Sequence, residues 1–380
     1  MTPIGTPDRA EPAPGLQTVG VGGPEKDDGE LTPSRPFVSV LIATYNHAAY
    51  LAETLDSVAR QTFTDYEIVV VDDGSTDGTD EIVSAWSAEY ARAHDNAMRV
   101  TRIDNSGQSA AIEHGFGLCT GDYIALLDSD DRWEPNKLAA VNEAVRECPE
   151  AGMVVHPLHV IDTLGRRTGD TRPLRARLSE GDLRDHVRRT GRQIAPATSG
   201  VVIRSDVFAQ LLPMPTRRFR SAADAYLTLG ATLAAPVRAI HEPLGEYRMH
   251  PDSMYLRRTI SPEGLRTTVE MQRAIARHLG IEAAAEKNPH FMRHAFALAV
   301  FEESWSNRWR QFRRLIAATL TDQAHRPLDR LIFSAYWTVC LLAPAGVFAR
   351  LWRFFQIRHI GTNRIPDAAR ISVHGEPSAH

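Results

Sequence analysis

The sequence predicts an α/β fold with a mostly parallel central sheet, followed by a helical C-terminal region. Short apolar runs alternate with segments of helical period from Phe37 onward, the order that gives parallel strands joined by helices. The run at Tyr123 to Leu127 is apolar throughout, as a strand buried on both faces requires. From Ser261 to about Arg358 the sequence reads as helices only.

The first strand is Val38 to Ala43, and Tyr50, Leu51, Leu55 and Val58 then recur at helical spacing. A second unit repeats this plan. Glu67 to Val71 forms its strand, the turn-rich Asp72-Asp73-Gly74-Ser75 bounds it, and Ile82, Val83, Trp86 and Tyr90 share one helical face. A third strand is expected near Val100, a helix from about Gln108 to Leu118, and a fourth strand over Tyr123 to Leu127. Beyond Asp131 the pattern loosens: a helix from about Pro135 to Arg146, a strand at Met153 to Val155, and an Arg-rich stretch from Arg166 to Arg192. A domain boundary is placed near 260, and no internal repeat is evident.

With 380 residues and 43% hydrophobic content the chain can bury one large core or two modest ones. Its 43 basic and 47 acidic residues give a net charge of −4, which lacks the basic field of many nucleic-acid binders, so no nucleic-acid partner is expected. Cys119, Cys148 and Cys340 are odd in number and widely spaced, which suggests neither a disulfide framework nor a Cys-based zinc site and fits a cytoplasmic compartment. Residues 1–36 hold seven Pro and six Gly without a charged start and apolar stretch, and read as a disordered tail rather than a secretory signal. Residues 361–380 read as a second flexible tail.

In parallel α/β sheets ligands bind beyond the carboxyl ends of the strands. Three strand ends converge in residue type: Thr44-Tyr45-Asn46, Asp72-Asp73, and Asp128-Ser129-Asp130-Asp131. An aromatic ring and hydrogen-bonding groups beside two carboxylate clusters suit a base, a ribose and a hard divalent cation bridging phosphates. Taken singly, Asp72-Asp73-Gly74-Ser75 is more often an Asx turn and helix cap, and Asp130-Asp131 before Pro135 is as readily a cap as a metal site. The convergence of the three favours binding.

The stretches VSVLIATYNHAAYLAETLDSVARQTFTDYEIVVVDDGSTDGT, SGQSAAIEHGFGLCTGDYIALLDSDDRWEPNKL, AADAYLTLG and YRMHPDS, in that order, resemble family 2 glycosyltransferases from about Phe37 to Tyr255. The resemblance implies an inverting enzyme with a GT-A type nucleotide-binding domain over 37–260, ahead of a helical region over 261–360. It implies that Ala43, Tyr45 and Asp73 contact the nucleoside with Asp72 nearby. It implies further that Asp128 and Asp130 form the D-x-D element, with Asp130 on an Mn²⁺ or Mg²⁺ ion, that Asp224 is the general base, that His250 joins the metal and that Arg248 meets the diphosphate. The chain departs from the family pattern at Ala223, where a carboxylate is common, and at Ile112-Glu113, where relatives carry Arg or Asn.

The expected partners are a nucleotide diphosphate sugar donor and a glycan or glycolipid acceptor. A nucleotidyltransferase is the first alternative, though Tyr45-Asn46-His47-Ala48-Ala49 lacks the Gly and Lys of a phosphate loop; a catalytically silent binding module is the second. Leu331 to Ala349 is a 19-residue run without a charge, and residues 301–370 hold eleven Arg against five acids. With Trp337, Trp352, Phe354 and Phe355 this suits a peripheral location on the inner face of the plasma membrane. A core helix, an oligomer contact and, less well given Pro344 and Gly346, a true span compete with it.

Overall fold

The computed structural model describes residues 36–174, 177–216, 220, 222–250, 262–302, 304–321 and 327–360. The two terminal tails expected from the sequence lie outside these, apart from Pro36, as do residues 251–253 at the end of the YRMHPDS stretch and Tyr255. The strands are β1 (Val38–Thr44), β2 (Tyr66–Asp72), β3 (Met98–Arg102), β4 (Tyr123–Asp128), β5 (Arg132–Trp133), β6 (Met153–Val155), β7 (Leu158–Ile161), β8 (Arg167–Arg172), β9 (Val201–Arg204), β10 (Val237–Ala239) and β11 (Gly245–Arg248). The helices of the α/β part are α1 (Leu51–Ala59), α2 (Thr79–Ala93), α3 (Gln108–Phe116), α4 (Lys137–Glu147), α5 (Arg184–Thr190), α6 (Ser205–Ala209) and α7 (Ala223–Ala234). Six more follow: α8 (Pro262–His278), α9 (Glu282–Ala285), α10 (Pro289–Phe301), α11 (Trp305–Thr321), α12 (Pro327–Leu342) and α13 (Ala345–Ile360).

The fold is α/β with a seven-stranded sheet in the order β10-β6-β9-β4-β1-β2-β3. All its pairings are parallel except those of β9, which runs antiparallel to both β4 and β6. The continuous apolar runs follow from helices on both faces. On one face Leu41, Val69, Val71, Ile124 and Leu126 meet α3, α6 and α7. On the other, Val40, Ile42, Ile68, Val70 and Leu127 meet Leu51, Leu55 and Val58 of α1, Val83 and Tyr90 of α2, and Leu138 and Val141 of α4. Strand β3 is the exposed edge, and Val100 on it is 41% exposed.

The stretch after Asp131 is more regular than its sequence predicts. It contains a second sheet of four strands, β5-β11-β7-β8, and it supplies β6, β9 and β10 to the first. These strands are two to six residues long, too short for a periodic signal. The Arg-rich stretch divides into β8 and α5.

In the C-terminal helices Leu265, Met292, Phe296, Leu315, Trp337, Phe348 and Trp352 form a core of their own. Pro344 falls between α12 and α13, so the apolar run Leu331 to Ala349 is broken into two helices. No helix among the described residues is long and apolar enough to cross a membrane. Trp337 and Trp352, grouped by the sequence reading with a membrane-facing surface, are corrected to core residues: each is 1% exposed.

Helix α3 lies close on the sheet because Gly115 has no side chain: a Cβ there would stand 2.3 Å from Leu41 Cδ1 and 2.9 Å from Val71 Cγ2. Gly115→Val is therefore expected to destabilise the fold by about 1–3 kcal/mol or more through overpacking. A lowered urea midpoint checks this, and an unchanged midpoint would mean that α3 moves aside without cost.

Candidate active site

The three strand ends meet at one level. Register pairs Thr44 with Asp72 and Ala43 with Asp128, so the segments that leave β1, β2 and β4 border the same space. The first two build a floor. Asp72 is buried; its Oδ1 accepts from Ser75 N, three residues on, at 2.9 Å and its Oδ2 from Arg102 Nη1 at 2.9 Å, so this side chain closes the loop after β2. Asp73 is buried too, its two oxygens accepting the backbone N–H groups of Ser106 (2.7 Å) and Gly107 (2.8 Å). Asn46, at φ 54°, accepts Thr76 N on its side-chain oxygen at 2.8 Å, and the turn leaves Tyr45 45% exposed beside this floor. Asn tolerates that left-handed conformation better than most residues.

The segment after β4 carries the charge. Asp128 accepts Gln108 Nε2 at 3.0 Å, while its own N–H donates to Ser199 Oγ at 3.0 Å. Burial, followed by the nearby Asp130 and Asp224 carboxylates, pushes Asp128 up to about 8. Asp130 goes the other way: burial alone would raise it, but the hydrogen bond from His250 and the proximity of His47 hold it below the usual carboxylate range. Asp131 turns inward, where its Oδ2 accepts Ser199 Oγ at 2.6 Å and its Oδ1 accepts Arg248 N at 2.8 Å.

His250 Nε2 lies 2.9 Å from Asp130 Oδ2, and His47 Nδ1 lies 2.7 Å from Ser129 Oγ. Ligand atoms of His47, Asp130 and His250 all fall within 4.8 Å of one another, a carboxylate and two imidazoles of the kind that hold a divalent transition ion. His47 sits in the loop after β1 and received no role from sequence. The signal was available, since a polar residue just past a strand end is a candidate by the same rule that found the aspartates.

Arg248 is 1% exposed. Its Nε donates to Asp130 O at 2.8 Å, its Nη2 to Glu53 Oε2 at 2.8 Å, and its guanidinium lies 4.8 Å over the Tyr50 ring. The side chain assigned to diphosphate by resemblance thus faces protein acceptors here and holds the Asp130 peptide. Ser199 was also missed. Besides its two hydroxyl contacts, its carbonyl accepts Trp133 Nε1 (3.0 Å) and the buried Lys137 Nζ (2.9 Å). No sequence pattern marks it, because it lies in a single 3₁₀ turn before the unanticipated β9.

Asp224 occupies the first turn of α7, half-buried, close enough to Asp128 for the two charges to repel. The approach to this helix is anchored by Arg220, whose carbonyl accepts Ser109 N at 3.0 Å and whose guanidinium bonds Asn105 Oδ1 at 2.6 Å. Gly107, at φ 94°, permits that contact, for a Cβ would meet Arg220 O at 2.6 Å. Glu113, the departure on α3, accepts Met214 N at 2.9 Å and so ties α3 to the chain ahead of α7.

The raised Asp128 has a thermodynamic sign. A carboxyl with a higher pKa folded than unfolded stabilises the metal-free fold below its unfolded value, and that contribution is lost as pH rises through the folded value of about 8. A cation bound by the cluster would remove this loss. Mn²⁺ is therefore expected to raise the melting temperature more near pH 8 than near pH 6, with proton release on binding. Equal shifts at both pH values, or none, would take the ion away from this cluster.

The family model for glycosyl transferase family 2 matches residues 39–209. An uncharacterized glycosyltransferase of Nostoc sp., alr2836, is 33% identical over 214 residues, which is 56% of this chain and 65% of that protein. TuaG of Bacillus subtilis, whose name places it in teichuronic acid biosynthesis, is 35% identical over 117 residues, 31% of this chain and 45% of TuaG. The chain thus spans less than two thirds of the length of either relative. Among solved structures, S. aureus TarS 1-349 in complex with UDP aligns at a TM-score of 0.52 and 20% identity, over 87% of this chain and 94% of the other. The same protein with UDP-GlcNAc aligns at 0.53 and 19%, over 87% and 93%. At that identity the likeness shows a shared fold.

Proposed function

This chain belongs to glycosyl transferase family 2, and from that premise we propose that it is a metal-dependent, inverting enzyme that moves a sugar from a nucleoside diphosphate donor to a hydroxyl acceptor. The observation that carries the reading is the grouping of Asp130, His250 and His47 at the end of β4, with Asp224 close enough to Asp128 for their charges to repel. The bound UDP and UDP-GlcNAc of TarS support a donor of this class. The name of TuaG supports an acceptor in cell-surface polysaccharide synthesis.

In this reading Ala43, Tyr45, Asp72 and Asp73 form the nucleoside side of the pocket. Asp72 and Asp73 fix the floor through the backbone they bind, and the exposed Tyr45 ring offers a face for the base. Asp128 and Asp130 form the D-x-D element, and Asp130, His250 and His47 would hold the cation. A mixed nitrogen and oxygen donor set suits Mn²⁺ better than Mg²⁺, which prefers oxygen alone. The cation would neutralise charge on the departing diphosphate. Arg248 keeps the Asp130 peptide in place from behind.

Asp224 accepts the proton of the acceptor hydroxyl as that oxygen bonds to the anomeric carbon. The bond from that carbon to the diphosphate oxygen breaks, the nucleoside diphosphate leaves on the opposite face, and the configuration inverts. Family membership leaves the nucleotidyltransferase alternative without support. The silent-module alternative predicts no donor turnover with added metal.

Asp130→Asn is expected to abolish transfer and to weaken nucleotide binding in Mn²⁺, since an amide cannot replace a carboxylate on a hard cation. Donor titration by calorimetry checks this; unchanged affinity and rate would remove Asp130 from the metal. Asp224→Asn is expected to lower the transfer rate by roughly 10²-fold or more while donor affinity stays nearly intact. A collapse of donor binding with a high residual rate would give Asp224 a different task.

A further inference from the structure

We propose that the outer face of α12, continued by Val347 at the start of α13, docks on an anionic lipid bilayer and lies flat in its interface without crossing it. Leu328, Leu331, Ile332, Val339 and Leu342 are each more than half exposed, and Leu342 reaches 71%. Their spacing, with exposed Ala335 between them, places them on one stripe along four turns of the helix. The opposite stripe, Trp337, Cys340 and Leu341, fills the C-terminal core. A contiguous apolar face of this length on a soluble surface marks an interaction site.

Length and charge select the occupant. At 1.5 Å per residue the 16 residues of α12 reach about 24 Å, short of the roughly 30 Å of a hydrocarbon core, and Pro344 stops the helix from continuing into α13. The helix can therefore lie in the interface but not span it. Helices α11 to α13 contain eight Arg and one acid, Asp329, in a chain whose net charge is −4. Exposed Arg350 follows Val347 by three residues, on the same helical face, and sets a cation at the end of the stripe.

A second copy is the main competitor, and the charge distribution disfavours it. In a two-fold dimer the stripe would meet itself, setting Arg against Arg around an apolar centre. Anionic headgroups offer the opposite charge at the edge of the same apolar layer. The stripe lies on the exposed side of the C-terminal helices and shares no residue with the strand ends that carry the catalytic reading.

The test uses the full chain and vesicles of phosphatidylcholine, alone or with phosphatidylglycerol, at two salt concentrations. The parent protein is expected to sediment with the anionic vesicles and to be released by salt. Leu331→Gln, Val339→Gln and Leu342→Gln together are expected to weaken binding by about tenfold or more, with melting temperature and donor hydrolysis unchanged. Leu342→Gln alone, at the most exposed of these positions, keeps the test sharp if the triple variant misfolds. Arg350→Gln should reduce binding to anionic vesicles only. Binding by the triple variant equal to that of the parent would overturn the proposal. So would a parent dimer in vesicle-free buffer that the substitutions turn into monomer, which would assign the stripe to a second copy. Retention of the parent in vesicles after carbonate extraction would replace a flat helix with a span.

Discussion

Asp128, Asp130 and Asp131 follow one another at the end of β4, and Asp224 is close enough to the first of them for their charges to repel. Crowding carboxylates in a place of low water content costs several kcal/mol per unpaired charge, so the surrounding structure must answer for each one. The answers differ. Asp131 is absorbed into the protein by Ser199 and the Arg248 backbone N–H. Asp130 is met by His250 and approached by His47. Asp128 receives neutral hydrogen bonds, from Gln108 and Thr198, which lower its pKa but do not offset burial and the neighbouring Asp130 and Asp224 charges, so its pKa rises.

The second sheet exists to complete these answers. Strand β11 pairs with β5 on one side and β7 on the other, and its end delivers Arg248 and then His250 to the Asp130 loop. The sheet is tied to α1 by alternating charges: Arg248 and Arg132 share Glu53, Arg132 and Arg167 share Glu246, and Arg167 continues to Glu134. Exposed ion pairs of this type contribute little stability one by one. Their value here is geometric, because the network fixes how far the His250 end of β11 stands from the loop after β1.

The sequence was legible where burial is two-sided. Strands β1, β2 and β4 read as continuous apolar runs because helices cover both faces of the sheet, and their carboxyl ends marked the clusters Asp72-Asp73 and Asp128 to Asp131, within which the family resemblance singled out Asp73, Asp128 and Asp130. What escaped was built from long-range pairing. Strand β11 of the second sheet takes its place from partners distant in sequence, and the 120 residues between Asp130 and His250 hide their contact from any local pattern, so that only the family resemblance joined the two. Ser199 is the extreme case: four contacts converge on one residue whose neighbours Thr198 and Gly200 announce only a turn. Arg248 was visible as a residue of the right kind, but its burial depends on Glu53 and Tyr50 of another segment.

The run Leu331 to Ala349 shows a different limit. Helical position is read from contrast between apolar and polar residues, and a run that is apolar throughout offers none, so a core helix and an interfacial helix look alike. Packing supplies the contrast: Trp337, Cys340 and Leu341 turn inward, while Leu331, Val339 and Leu342 turn outward. Charge supplies the other half of the argument. The net charge of −4 averages an acidic cluster at the strand ends with basic terminal helices, and neither is visible in the total.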